Sequence, residues 1–332
     1  MNYIGSKHTL REFIVSNILS VVGDDIGNLV FCDLFAGTGA IGRAFKPIVK
    51  KVIANDLEYY SFVLNRNYIG NNERMKYKNV YVDLLNNIPL SEGFICKHYC
   101  LSGKAKRQYF TNDNGMRIDS YRRYVETLRQ EKKINDDLYY FLLASLLESA
   151  DKVANTTSVY GAYLKKFKKS ALTKMIVAPA EFQITDTKHQ VFNMDSNDLI
   201  KQISGDVLYL DPPYNARQYG SNYHLLNTIA LSDDFIPAGK TGLRPYNKSL
   251  FCRKTTAKDY LEELIKNSEF KFVFLSYNNE GLIKYSDIED IMSKYGEYKQ
   301  FNKTYQRFRA DKKDKRNYTA NKTIEYLHVL IK

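Results

Sequence analysis

Two short apolar runs and the glycine-rich turn between them constrain this chain more than any other feature. "LVFCD" at 29–33 ends in Asp33, "AGTGAIGRAF" turns and opens a helix, and "KKVIAND" at 50–56 ends in a second acid, Asp56. A strand, a tight turn, a helix and a second strand packed into about 30 residues form a crossover unit. A crossover of that kind joins parallel neighbours, so the chain is committed to an α/β domain of the doubly wound type. Gly37, Gly39 and Gly42 have G-x-G-x-x-G spacing, and Asp56 follows Gly37 by 19 residues. Glycines at such a turn let backbone approach a ligand, and an acid at the tip of the second strand accepts bonds from ribose hydroxyls. The loop therefore predicts a cofactor containing adenosine. A nicotinamide-dependent oxidoreductase would use the same loop and stands as an alternative. Asp33 reads either as a cofactor-loop residue or as a cap on the helix side.

Leu10, Phe13, Ile14 and Ile18 share one face of residues 8–22 and predict a helix. Residues 91–134 read as polar, basic and turn-rich, and 138–148, "LYYFLLASLLE", as a buried helix. The α/β pattern returns with "HQVFNMD" at 189–195 and "VLYLD" at 207–211, and 270–279 and 324–332 supply two further strands. The expected organisation is a catalytic domain, cofactor half, over 1–88, an inserted module over 89–188, and a catalytic half over 189–332. A loop at 231–258 is longer than compact domains usually carry, which points to function or mobility.

Lysine and arginine number 49 against 37 aspartate and glutamate, for a net charge of +12. That excess is the footprint of a polyanionic partner. Lys165, Lys166, Lys168 and Lys169 cluster in "GAYLKKFKKSALTK", which has no acid, and residues 303–322 carry eight basic and two acidic residues. Both stretches are expected to contact phosphates, which gives affinity without sequence information. Four scattered cysteines do not make a disulfide framework. The N-terminal stretch has charges where a signal peptide has its apolar core, and no run approaches about 18 apolar residues. A reduced, cytoplasmic protein with no membrane association is the expectation. Cys96, His98 and Cys100 lack the second ligand pair that zinc sites use, so no metal is expected. "AGKTG" at 238–242 fails as a phosphate loop because Asp234 stands where its first glycine belongs.

"VLYLDPPYNARQY" at 207–219 runs a buried strand into Asp211, two prolines and Tyr214. Pro-Pro stiffens the chain and removes two backbone donors. With "DLFAGTG" upstream, this "DPPY" resembles the amino-methylating DNA methyltransferases that use S-adenosylmethionine. "NYIGSK" at the N-terminus, the order of parts, and "NMD" at 193–195 resemble their alpha group, which includes Dam, EcoRV and FokI-type methylases and whose DNA members methylate adenine at N6. "RQYFTNDNGMRID", "NYHLLNTIA", "LSYNNEGL" and "FRADKKDKR" extend the likeness to the FokI-type branch over most of the chain.

The resemblance implies a Rossmann-like class I methyltransferase fold: a mixed sheet with helices on both faces, plus an inserted, mostly helical target-recognition module. It implies that Tyr3 and Lys7 face the methionine moiety, while Phe35, Ala36 and Gly37 approach it through backbone. Gly39 completes the glycine loop, Asp56 holds the ribose and Asp195 the adenine amine. It makes Asp211, Pro212, Pro213 and Tyr214 the catalytic elbow. An adenine amine is a poor nucleophile because its lone pair is delocalised into the ring. Two acceptors on a rigid elbow, the Asp211 carboxylate and the Pro212 carbonyl, can orient its N–H groups so that the developing lone pair points at the methyl group. Tyr214 would stack on a base already flipped from its helix. Arg217, Gln218 and Tyr219 follow the elbow and are expected to contact DNA beside that base. The implied partner is double-stranded DNA, with a cognate restriction endonuclease and a monomeric state as further expectations. The same chemistry on structured RNA or on the cytosine amine, and a catalytically silent DNA-binding module, are the rival readings.

Overall fold

Seven strands make one mixed sheet in the computed structural model, which describes Lys7, residues 9–306 and residues 322–332. They are β1 (Val30–Asp33), β2 (Lys51–Asn55), β3 (Gln190–Phe192), β4 (Ser204–Leu210), β5 (Glu269–Asn278), β6 (Glu297–Gln306) and β7 (Lys322–Ile331), in spatial order β3-β2-β1-β4-β5-β7-β6. The first five run parallel, and β7 enters antiparallel between β5 and β6. Strand order reverses at β1, which has β2 on one side and β4 on the other. In open α/β sheets the crevice for ligands lies beyond the carboxyl ends of the strands at such a switch point. The glycine loop leaves β1 and the "DPPY" elbow leaves β4, so both sequence motifs rise from that point.

The chain divides into two compact units. Among the described residues, the one holding the sheet comprises Lys7, 9–57, 187–218, 248–306 and 322–332. Its central strands β1, β2, β4 and β5 are apolar on both sides because helices cover both. On one side α1 (Arg11–Val22) packs with α2 (Ala40–Phe45), and Phe45 stacks on Phe31 of β1 with ring centroids 4.0 Å apart. On the other, Leu261 and Leu264 of α11 (Ala257–Asn267) and Ile288 and Ile291 of α12 (Tyr285–Ser293) pack with Cys32, Leu208 and Leu275. The short α8 (Ser196–Leu199) follows β3. The mixed sheet and two-sided helical cover match the expected fold class. The edge strand β6 escaped the sequence reading. "EYKQFNKTYQ" has no apolar alternation, as fits a strand that among the described residues pairs with β7 alone, and lysines along such an edge discourage pairing with other chains.

Among the described residues the second unit comprises 58–186 and 219–247 and is helical. It holds α3 (Tyr59–Asn65), α4 (Lys78–Asn87), α5 (Phe94–Tyr99), α6 (Asn112–Gln130), α7 (Asp136–Val153), α9 (Tyr219–Asn222) and α10 (His224–Leu231). The reading of 91–134 as turn-rich needs correcting, since α5 and the 19-residue α6 occupy most of it. The apolar stripe of α6 is Ile118, Tyr121, Val125 and Leu128, diluted in sequence by buried Asn114, Asp119 and Arg122. Thr111 starts it by accepting from Asn114 N. Contacts divide the chain at 57/58, where the sequence reading placed the limit at 88/89. The physical reason is α3, which follows β2 yet packs with α7 and α10, its Tyr60 N donating to Asn227 Oδ1 at 2.9 Å. Among the described residues no helix is long and apolar enough to cross a membrane.

Candidate active site

Asparagine side chains stitch together the loops beyond the strand tips. Asn55 donates from Nδ2 to the carbonyls of Leu34 (3.2 Å) and Met194 (3.1 Å) and accepts from Met194 N at 3.0 Å. Asn193 donates to the carbonyls of Asp56 and Leu57. The loops after β1, β2 and β3 are thus one hydrogen-bonded body. Gly37 (φ +52°) and Gly39 (φ +77°) lie in the left-handed region, the conformation that glycine adopts without a Cβ penalty. Gly37 N donates to Asp56 Oδ2 at 2.8 Å. Asp195 caps α8 and accepts from Asn197 N at 2.9 Å and from the Tyr260 hydroxyl. Phe35, Phe251 and Tyr260 form an aromatic row, with centroids 5.2 Å and 5.0 Å apart.

Asp33 anchors α2 by accepting from Gly42 N at 2.9 Å, and its other oxygen is buried with no hydrogen-bond partner among the described residues. Burial pushes its carboxyl up to about 7, against the pull of the Gly42 N–H. A buried carboxylate oxygen left open wants a cationic or N–H partner. Half-buried Asp56 and Asp195, the left-handed glycines, the aromatic row and this open oxygen are a donor set that fits a ligand bearing ribose hydroxyls, an aromatic base and an ammonium group.

The elbow begins where β4 ends. Leu34 N donates to Tyr209 O at 3.1 Å, tying the glycine loop to β4 just before Asp211. Pro212 is buried and Pro213 half-buried, and the Tyr214 carbonyl accepts from Leu282 N at 3.0 Å. The Tyr214 ring meets Tyr277 edge-on, with centroids 6.3 Å apart at 81°. Lys7 brings its ammonium to 3.0 Å from Asp211 Oδ1 and 2.7 Å from Glu325 Oε1, and to 5.6 Å from the Tyr214 ring centroid. The three charged side chains are 6%, 15% and 1% exposed for Lys7, Asp211 and Glu325. Burial pulls Lys7 toward neutrality, but the two carboxylates outweigh it and hold the ammonium well above the ordinary lysine value. Burial raises Asp211 to about 6, with Lys7 pulling down and Glu325 pushing up.

Lys7 therefore stands at the elbow, and Tyr3 lies outside the described residues. Sequence reasoning missed Glu325, Phe251 and Tyr260. Glu325 had a legible signal: it shares an inward face of β7 with Leu327 and Val329, where an acid is out of place.

Of the expected DNA contacts, Lys165, Lys166 and Lys169 are exposed, while the Lys168 ammonium is 2.8 Å from Thr156 O. Arg217 is exposed and its N–H closes a turn on Asn215 Oδ1. Gln218 instead binds backbone, exchanging two hydrogen bonds with Ser249 (3.2 Å and 2.8 Å). Tyr219 belongs to the helical unit and stacks near Tyr223. The basic stretch 303–322 falls mostly outside the described residues. Within 231–247, a hairpin closed by Ala238 and Leu243 is braced by Arg107, which donates to the carbonyls of Gly239 and Lys240. Cys96 and Cys100 point their thiols toward the carbonyls of Asn112 and Thr111, and His98 packs on Phe94.

Known proteins similar to this chain include one family and the three relatives that follow. The family described as D12 class N6 adenine-specific DNA methyltransferase matches residues 3–291. The Type II methyltransferase M.NlaIII of Neisseria lactamica is 54% identical over 332 residues, covering 100% of this chain and 99% of that protein. The Type II methyltransferase M.CviAII of Paramecium bursaria Chlorella virus 1 is 39% identical, covering 93% of each. The Type II methyltransferase M.FokI of Planomicrobium okeanokoites is 36% identical over all of this chain, which spans 53% of that protein.

Proposed function

We propose a function from one premise: this chain belongs to the D12 class N6 adenine-specific DNA methyltransferase family. It is an adenine-specific DNA methyltransferase related to Type II modification enzymes. The finer reading is that it takes its methyl group from S-adenosylmethionine and modifies a flipped adenine in double-stranded DNA. Asp56 holds the ribose, Asp195 the adenine amine, Phe35 with Phe251 and Tyr260 the base, and the open oxygen of Asp33 the ammonium. Phe35, Ala36, Gly37 and Gly39 approach through backbone. S-adenosylmethionine supplies, when bound, a sulfonium methyl group that an amine takes by direct displacement.

The residues of the elbow do the rest. Asp211 and the Pro212 carbonyl accept the two N–H groups of the target amine and aim its nitrogen. Pro212 and Pro213 keep those acceptors from relaxing toward other partners, which is preorganisation of the kind that lowers barriers. Tyr214 stacks on the flipped base. Once the nitrogen becomes cationic, the neighbouring carboxylate favours it until its extra proton leaves. The observation that carries this reading is the origin of the glycine loop and the Asp-Pro-Pro-Tyr elbow from adjacent strands at the switch point.

The helical unit, including the expected module 89–188, is assigned target recognition, with Lys165, Lys166, Lys169 and Arg217 on phosphates. Lys168, Gln218 and Tyr219 contribute by ordering backbone and rings beside them. A monomeric, cytoplasmic enzyme working beside a cognate endonuclease completes the proposal. The test is transfer of labelled methyl from S-adenosylmethionine to unmethylated DNA, followed by digestion to nucleosides. Label in N6-methyladenine supports it, and label in methylcytosine or only in RNA would overturn it.

Two further outcomes are expected. Asp211 is the stronger acceptor when ionised, because protonation turns one of its oxygens into a donor, and its value is about 6. At saturating cofactor the single-turnover rate should be flat above that pH and fall about tenfold per unit below it. A rate unchanged down to pH 5 would remove Asp211 from that role. Asp56→Ala should weaken cofactor binding by roughly 10- to 100-fold, the worth of a charged hydrogen-bond pair, and leave the saturated rate near wild type. Titration calorimetry with S-adenosylhomocysteine checks it, and unchanged affinity would free Asp56 from the ribose.

A further inference from the structure

The buried cluster at the elbow has one base and two acids, and the mechanism above uses only one of the acids. Glu325 lies on β7, opposite Asn278 of β5, and holds the Lys7 ammonium at 2.7 Å, closer than Asp211 does at 3.0 Å. Its second oxygen is buried without a hydrogen-bond partner among the described residues. Such a residue is expensive, because a desolvated carboxylate with an open oxygen costs more than an apolar side chain in the same strand. Its position gives a reason for the cost.

We propose that Glu325 is a positioning residue for methyl transfer: by sharing Lys7 with Asp211 it keeps the cluster one negative charge in surplus, so that Asp211 remains a strong acceptor for the target amine. With Glu325 absent, Lys7 and Asp211 would form a closed neutral pair, and the Asp211 carboxylate would be spent on the ammonium. With Glu325 present, the ammonium is divided, and the surplus charge faces a nitrogen that turns cationic in the transition state. Charge placed where charge develops is worth most in a desolvated site. The inference rests on the assignment of Asp211 as acceptor made above.

Among the described residues, four other ionisable groups act on the cluster. Tyr209, on β4, donates to Ser276 Oγ at 2.9 Å, and burial keeps its hydroxyl neutral. Tyr214 is likewise raised by burial, with Glu280 from the adjoining loop adding to the shift. Asp33 feels the Asp211 charge from β1. None of them is a second cation, so among the described residues the surplus depends on Glu325.

The test is the single-turnover methyl-transfer rate against pH for wild type, Glu325→Gln and Asp211→Asn, with thermal stability and DNA affinity measured on each. Glu325→Gln keeps the shape of the side chain and removes its charge. The expected result is a rate lower by on the order of 10-fold, with DNA affinity and stability retained. The acid limb should move to lower pH, because Asp211 then has Lys7 to itself. A merely structural glutamate would lower stability and leave the limb where it was. That outcome, or a profile superimposing on wild type, overturns the inference. Asp211→Asn keeps an acceptor oxygen without the charge, so wild-type activity in that variant would overturn the inference, whereas wild-type activity in Asp211→Ala, added to the panel, would show that the assignment of Asp211 as acceptor has failed.

Discussion

Asp211→Ala is expected to lower the single-turnover rate of adenine methylation by on the order of 10³-fold, the loss found when a preorganised electrostatic group is taken from a desolvated site. Cofactor and DNA affinities should stay close to wild type, because the glycine loop, Asp56 and Asp195 are untouched. The variant should also be no less stable than the parent. Asp211 has its carboxyl raised by burial to about 6, above the value of an unfolded chain. An acid raised on folding contributes stability that is fully present below its unfolded value and lost as pH rises through its folded one. At neutral pH the ionised Asp211 is therefore a cost to the fold, and its removal leaves Lys7 and Glu325 as a matched pair. A gain on the order of 1 kcal/mol is expected at pH 7, shrinking toward pH 4. Thermal unfolding of the two proteins beside their transfer rates reads both effects. A variant that loses activity together with DNA binding and stability would point to a structural aspartate.

The parts of this site that were legible in the sequence are the local ones. The glycine loop and the elbow each lie within a few residues of a strand buried on both faces, and such strands announce themselves as unbroken apolar runs. Asp33, Asp56, Asp195 and Asp211 could be placed at strand ends or loops for the same reason. What was not legible is pairing at a distance. Lys7 and Glu325 are 318 residues apart in the chain, and only the antiparallel entry of β7 between β5 and β6 brings them together. Tyr260 reaches Asp195 from α11, 65 residues on. The misread region 91–134 failed for another reason. Helix α6 buries Asn114, Asp119 and Arg122 beside its apolar stripe, and each is matched by partners elsewhere in its unit. Asn114 bonds the carbonyl of Thr173 and the amide of Met175, Asp119 takes three backbone N–H groups around α5, and Arg122 takes the last carbonyls of α10. Buried polar residues satisfied by tertiary partners look in sequence like surface.

Lys7→Met should be the most destabilising single change at the elbow, costing about 3–5 kcal/mol at neutral pH, the usual result of leaving a buried charge without its partner. Here two carboxylates would be stranded together, Asp211 and Glu325, both buried. Lys7 is held well above the ordinary lysine value, so its contribution is fully present below the unfolded value near pH 10 and is lost only above that. The cost should therefore be undiminished at neutral and mildly alkaline pH. It should shrink in acid, where protonation of Asp211 relieves the repulsion. In the same variant Asp211 loses the group that pulls its carboxyl down, so the acid limb of methyl transfer should move above pH 6. Glu325→Gln added to Lys7→Met removes one of the stranded charges and should restore a large part of the stability. A double-mutant cycle by urea unfolding at pH 7 and pH 5 measures the coupling. Additive losses at both pH values would mean that the three side chains do not act as one charged cluster, and the charge count at the elbow would have to be abandoned.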